Sequence, residues 1–176
     1  MALTTAAALV NTLRYGYDAL PDVAALARFL YKYEVSGVRA HSIAELSAVR
    51  GLRTQLRGVW DSAEGDAAAT LVNDLLEAAD ARPRLAQHDG WGWHLHFSRP
   101  EAPLAQRLGA ELAMGLADLL RNDDLDRLRH CRAPDCTSVL IDMSRNRSRM
   151  YCDTGNCGNR QHVAAYRARR TAPPSG

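Results

Sequence analysis

The chain has four cysteines, and all of them fall in its last third as two equally spaced pairs, Cys131-x4-Cys136 and Cys152-x4-Cys157, with fifteen residues between the pairs. Two short-spaced pairs separated by a hairpin-sized insert can converge as a tetrahedron of thiolates around one metal ion, and zinc is the usual occupant of such a site. Four protein ligands also close the coordination sphere. The metal then acts as a staple and leaves no position for a substrate, which argues against a zinc hydrolase. An iron–sulfur cluster and a redox thiol pair are the other chemistries that this spacing allows, and visible absorbance separates a cluster from colourless zinc. The opening segment, Met1–Leu13, lacks the basic lead of an export signal, and Asn11-Thr12 cuts its apolar run short. No stretch approaches the roughly 18 apolar residues of a membrane span. A cytoplasmic, reducing location is therefore expected, and it favours metal over disulfides.

Charge is distributed unevenly. The chain totals +2, yet the segment 127–170 holds ten arginines against Asp135, Asp142 and Asp153, a net +7 that leaves −5 for the remainder. Zinc with four thiolates subtracts two, so the metal-binding segment carries about +5. A basic end on an acidic body suggests an anionic partner.

Up to residue 122 the pattern is mostly helical. Helices are expected over about Thr5–Arg14 and Asp22–Lys32, with a turn at Gly16 and Pro21 between them. A third starts at the capping box Ser42-Ile43-Ala44-Glu45 and continues as the stripe Leu46, Val49, Leu52, Leu56, Val59, Trp60. Asp66 is the expected cap of a fourth helix. The period then becomes two. Pro83–Gln87 and Trp91–Phe97 read as strands around the turn His88-Asp89-Gly90, with Trp91, Trp93, Leu95 and Phe97 expected to pack on the helices. His94 and His96 share the opposite face, a spacing compatible with metal, but no third ligand is evident. A fifth helix covers about Pro103–Arg121.

The segment after residue 122 is too small to fold on Val139, Leu140, Ile141, Met150, Tyr151, Val163 and Tyr166 alone, so metal binding would supply much of its folding free energy. Strands are expected at Arg127–Cys131 and Ser138–Asp142, and a helix over Gly158–Arg170 with Cys157 at its start. That arrangement is a treble-clef-like finger. The fold class is α+β: a mainly helical domain with one β-hairpin over 1–122, a four-cysteine finger over 123–170 and a disordered tail over 171–176.

Three stretches of this segment carry a resemblance: Cys131-Arg132-Ala133-Pro134-Asp135-Cys136, the run Asp142 to Arg149, and Cys157-Gly158-Asn159-Arg160. Together they resemble the CGNR zinc-finger family. Val10-Asn11-Thr12-Leu13, Leu52-Arg53 and Pro83-Arg84-Leu85 are similar to the ABATE domain that accompanies that finger. The resemblance implies a stress-related bacterial transcription regulator that binds DNA. Arg149-Met150-Tyr151 departs from the Arg-Arg-Trp usual before the third cysteine, and His162 stands where a lysine is common. Both weaken the basic surface more than the zinc site.

The candidate nucleic-acid contacts are Arg145, Asn146, Arg147, Arg149, Arg160, Arg167, Arg169 and Arg170. If the loop is extended, Arg145, Arg147 and Arg149 aim to one side, and arginine is a bidentate ligand for phosphate and guanine. The alternative is that some of them pair with Asp142 or Asp135 and organise the loop. Asn159 is expected to satisfy buried backbone groups of the knuckle. The leading function is a DNA-binding regulator whose larger domain senses a small-molecule effector or forms a homodimer. The second is a protein-interaction module. An enzyme, the third, would need a pocket near Asn11, Arg53 or His94. No phosphate loop, nucleophile elbow or paired carboxylates point to one.

Overall fold

A computed structural model describes residues 2–171 apart from 63, 88, 89 and 91. The described residues form six α-helices, one short 3-10 turn (Leu125–Arg127) and three two-stranded antiparallel ribbons, a mixed α+β, mainly helical architecture. The helices are α1 (Ala2–Val10), α2 (Val23–Lys32), α3 (Ile43–Asp61), α4 (Gly65–Ala78), α5 (Leu104–Arg121) and α6 (Cys157–Thr171). The ribbons pair β1 (Leu13–Arg14) with β2 (Tyr17–Asp18), β3 (Arg84–Ala86) with β4 (His94–His96), and β5 (Leu128–His130) with β6 (Val139–Ile141).

The core lies where α1, α3, α4 and α5 pack together. Leu104, Leu108, Leu112, Leu116 and Leu119 form the buried stripe of α5, facing Leu9 of α1 and Leu46, Val49, Leu56 and Trp60 of α3. Val139 and Ile141 of β6 belong to the same core, while Leu140, which points the other way, packs among the cysteines.

Local chemistry explains most boundaries. Asp22 accepts from Ala25 N and starts α2, and Ser42 accepts from Glu45 N and starts α3. Glu45 does not close the box on Ser42. Its carboxylate reaches further back, to Ala40 N at 2.8 Å and His41 N at 3.1 Å. Asp66 is not a cap: Glu64 holds the N-cap position without a side-chain bond, and Asp66 lies in the first turn. The first helix ends at Val10, four residues before the expected Arg14, because the chain turns into the β1–β2 ribbon. Tyr15 and Gly16 form the two-residue turn with φ of 53° and 75°, the paired positive values of a type I′ hairpin.

The β3–β4 ribbon has the expected period but the opposite facing. Leu85 and Leu95 sit across from each other on the outside, and Trp93 and Leu95 are 71% and 48% exposed. Alternation fixes which residues share a face, not which face finds a partner. Here the inner face bears His94 and His96, and α5 offers it the half-buried carboxyl of Glu111, on which the His94 charge acts. Trp91, the turn at His88-Asp89 and the tail beyond Thr171 lie outside the described residues. Among the described residues no helix is long and apolar enough to cross a membrane.

Candidate metal centre and its basic helix

Each cysteine is delivered by a different piece of local structure. Cys131 follows β5, and its amide donates to Ser138 O at 2.9 Å, which closes the turn 131–138. Cys136 lies in that turn, its amide bonded to Ala133 O at 3.0 Å. Cys152 sits opposite, with its own N–H directed at Cys131 Sγ, 3.4 Å away. Cys157 is the first residue of α6.

The four Sγ atoms lie within 4.8 Å of one another, and Cys136–Cys152 and Cys152–Cys157 are both 3.7 Å apart. A Zn–S bond of about 2.3 Å gives a tetrahedral edge of roughly 3.8 Å. All four cysteines are free thiols, so the spacing fits one structural zinc ion. Among the described residues no other group of three or more Cys, His, Asp or Glu could hold a metal, and His94 with His96 forms no such site.

Burial pushes the Cys131 thiol up to about 12 and raises Cys157 as well. Burial also opposes ionisation of Cys136, but hydrogen bonds from Ser138 and Tyr15 outweigh it and hold this thiol at about 6. Buried without an oxygen or nitrogen acceptor, the Ser138 hydroxyl has the Cys136 sulfur as its partner. Arg160 donates from Nη2 to Cys157 Sγ at 3.2 Å and pairs with Asp135 at 3.3 Å. One cation thus compensates a thiolate and ties α6 to the first knuckle. A Zn(Cys)4 centre carries two negative charges, and these donors offset part of them.

The loop 142–149 is not extended. Asp142, fully buried, accepts from Ser144 N at 3.0 Å, Ser144 Oγ at 2.5 Å and Arg149 N at 2.8 Å. Its ion-pair partner is Arg129, at 3.0 Å. This folds residues 144–147 into a turn, and Arg147 takes a φ of 48°. The guanidiniums therefore diverge. Arg147 pairs with Asp124 at 2.6 Å and with Asp126 at 2.7 Å, and Arg149 pairs with Asp153. Arg145 and Asn146 stand exposed at the tip of the turn, and among the described residues nothing pairs with Arg145. Pairing does occur, as the alternative reading has it, but with different acids.

Beyond its first turn α6 is exposed all round. Arg167, Arg169 and Arg170 lie in this part, with the Arg170 guanidinium 5.9 Å from the centre of the Tyr166 ring. Val163 and Tyr166 do not join a finger core; they are 40% and 54% exposed. Asn159 is exposed, and among the described residues its side chain bonds no knuckle backbone.

Several residues that matter here carry no motif. The Asn11 amide donates to Val139 O and accepts from Val139 N, both at 2.8 Å, so a side chain completes the open edge of β6. Trp60 Nε1 donates to Leu140 O at 3.1 Å, and Arg57 to Thr137 O at 2.8 Å. Arg53, 6% exposed, is held by Asp18 at 2.7 and 3.0 Å and by Thr12 Oγ1 at 3.1 Å. Asn11 and Arg53 are thus consumed by structure. Tyr15, brought to Cys136 by the β1–β2 turn, is the contact the sequence reading misses; the local signal for it was the Tyr15-Gly16 pair, which suits a tight turn.

Two family models match the chain. Residues 3–123 match ABATE, described as "Putative stress-induced transcription regulator", and residues 127–170 match the CGNR zinc finger. A search of curated proteins finds no match.

Proposed function

The chain belongs to the ABATE family, with a CGNR zinc finger at its C-terminal end, and on that premise we propose that it is a DNA-binding transcription regulator. The observation that carries this reading is α6: it starts on a zinc ligand, is exposed beyond its first turn and ends in Arg167, Arg169 and Arg170. A helix fixed at one end by metal and exposed everywhere else suits the major groove, which admits a helix. Arg145 adds a fourth cation on the neighbouring turn. Arg147 and Arg149 contribute only by exchanging an aspartate for a phosphate. Arg160 serves the metal site first, and Asn146 is placed to reach a base or sugar edge. The helical domain acts as the receiving part, where an effector or a second copy alters the finger. The protein works by binding and not by catalysis, in the cytoplasm.

Four phosphate contacts give a log–log salt slope of about −3.6 on duplex DNA. Fluorescence anisotropy with the zinc-loaded chain and genomic fragments tests this. The triple variant Arg167→Ala, Arg169→Ala, Arg170→Ala should weaken binding by roughly a hundredfold or more at low salt while keeping its zinc. Affinity that is unchanged in that variant, or indifferent to salt, sinks the reading.

A second reading rests on Val163 and Tyr166, which lie three apart on one exposed face of α6. That face could dock a protein, and a Val163→Asp, Tyr166→Ser variant that loses self-association but keeps DNA affinity would favour it.

A further inference from the structure

One opening in the molecule is lined by no residue of the finger. A cavity of about 530 Å³ lies between the start of α1, the loop after α2, the β3–β4 ribbon and the first half of α5. Sites for small organic molecules commonly span ~300–1,000 Å³. Its apolar wall is built by Ala2, Val35, Ala86, Leu108 and Leu112.

Cationic groups outnumber carboxylates on the wall: Arg84, Arg99 and Arg107, with His96, line the cavity together with Glu34 and Glu111. Arg107 spends its donors on carbonyls: Ser36 O at 2.6 Å, Val38 O at 2.5 Å and Ala102 O at 3.1 Å. Those bonds pin the loop after α2 as a fixed rim, with the Glu45 carboxylate, which is not on the cavity wall, acting on the guanidinium. The Arg84 side chain makes no hydrogen bond or ion pair with any described residue, while its backbone pairs in the β3–β4 ribbon. Burial raises the Glu111 carboxyl above the usual range. An apolar chamber with a guanidinium at its wall whose side chain pairs with no described residue matches a ligand with an apolar body and one carboxylate. Arginine offers a carboxylate two parallel N–H donors.

We propose that this cavity is a binding site for a small organic monocarboxylate, its hydrocarbon part against Leu108 and Leu112 and its carboxylate on Arg84. The proposal rests on the reading of the helical domain as the effector-receiving part, but the binding itself requires no DNA.

Calorimetric titration of the zinc-loaded full chain tests it, with phenylacetate and octanoate as probes and 2-phenylethylamine as the charge-reversed control. At least one carboxylate should bind with a Kd below about 1 mM, and the amine should not. Arg84→Gln should weaken that binding by about tenfold or more, and Ala86→Phe, which fills the chamber, should abolish it. Arg28→Gln, on the exposed side of α2, should leave it unchanged. Circular dichroism establishes that each variant is folded. The site is overturned if the amine binds in place of the acids, if no probe binds, or if affinity survives both Arg84→Gln and Ala86→Phe. Since DNA is absent, a failure here leaves the DNA reading standing, and loss of the DNA reading leaves this result intact.

Discussion

Asn11 shows how one side chain can decide the way two parts of a chain meet. Its amide presents a donor and an acceptor at the spacing of a backbone peptide and pairs with both polar groups of Val139. Replacing it with leucine strands a buried N–H and a buried C=O at once. Each such group costs about 1–3 kcal/mol, so Asn11→Leu should lower unfolding stability by about 2–4 kcal/mol, read as a fall in the urea midpoint. Asp18 makes a second residue-level test. The hydrogen bonds from Arg53 hold its carboxyl below the usual range. A depressed acid stabilises the fold fully above its unfolded pKa of about 3.9 and loses that contribution as pH falls through the lower folded value. The stability gap between the parent chain and Asp18→Asn should be constant at neutral pH and shrink below about pH 4; a gap that widens in acid would contradict the assignment. The Asn11-Thr12 break in an apolar run was legible as a buried polar contact. Its partner was not, because Val139 is 128 positions away and nothing in local pattern names it.

Elements divide by how strongly local chemistry dictates them. Helices α2 and α3 were legible because a cap and a long apolar stripe agree, α5 was legible by its stripe alone, and the cysteine spacing alone placed the metal site. The β1–β2 ribbon was not, because two-residue strands leave no periodic trace. The β3–β4 ribbon was legible in its period and wrong in its facing, since the choice between faces was made by α5. The loop 142–149 shows the same limit: its sequence alternates, but the buried carboxylate of Asp142 gathers the backbone amides and folds it. Helix α6 has the opposite problem. An isolated helix of about 15 residues is marginal in water, and the outer turns of this one are exposed. Amides from Gln161 onward should exchange with solvent far faster than those of α5, as hydrogen–deuterium exchange would register. Duplex DNA should slow the α6 amides and leave α5 as it was. Equal protection of both helices in the free protein would mean that α6 has a partner on this chain.

At the scale of the whole molecule, the finger is not an appendage in energetic terms. Val139 and Ile141 sit in the core with Leu9, Val59 and Trp60, and Trp60, Arg57 and Asn11 hydrogen-bond to the backbone of 137–140. The other side of β6 places Leu140 among the thiolates. One three-residue strand is therefore shared by the apolar core and the metal centre. The segment around the cysteines has too few apolar groups to hold itself, so its order depends on the ion. Removing zinc should then do more than loosen the end of the chain. Chelation at neutral pH is expected to lower the melting temperature of the helical part as well, with Trp60 fluorescence and far-ultraviolet circular dichroism following one transition. A chain cut after residue 122 should behave like the chelated protein, because it too lacks β6 over the core. If chelation removes zinc and the helical transition stays where it was, the strand is held by Asn11 and Trp60 alone, and the coupling between metal and core is absent.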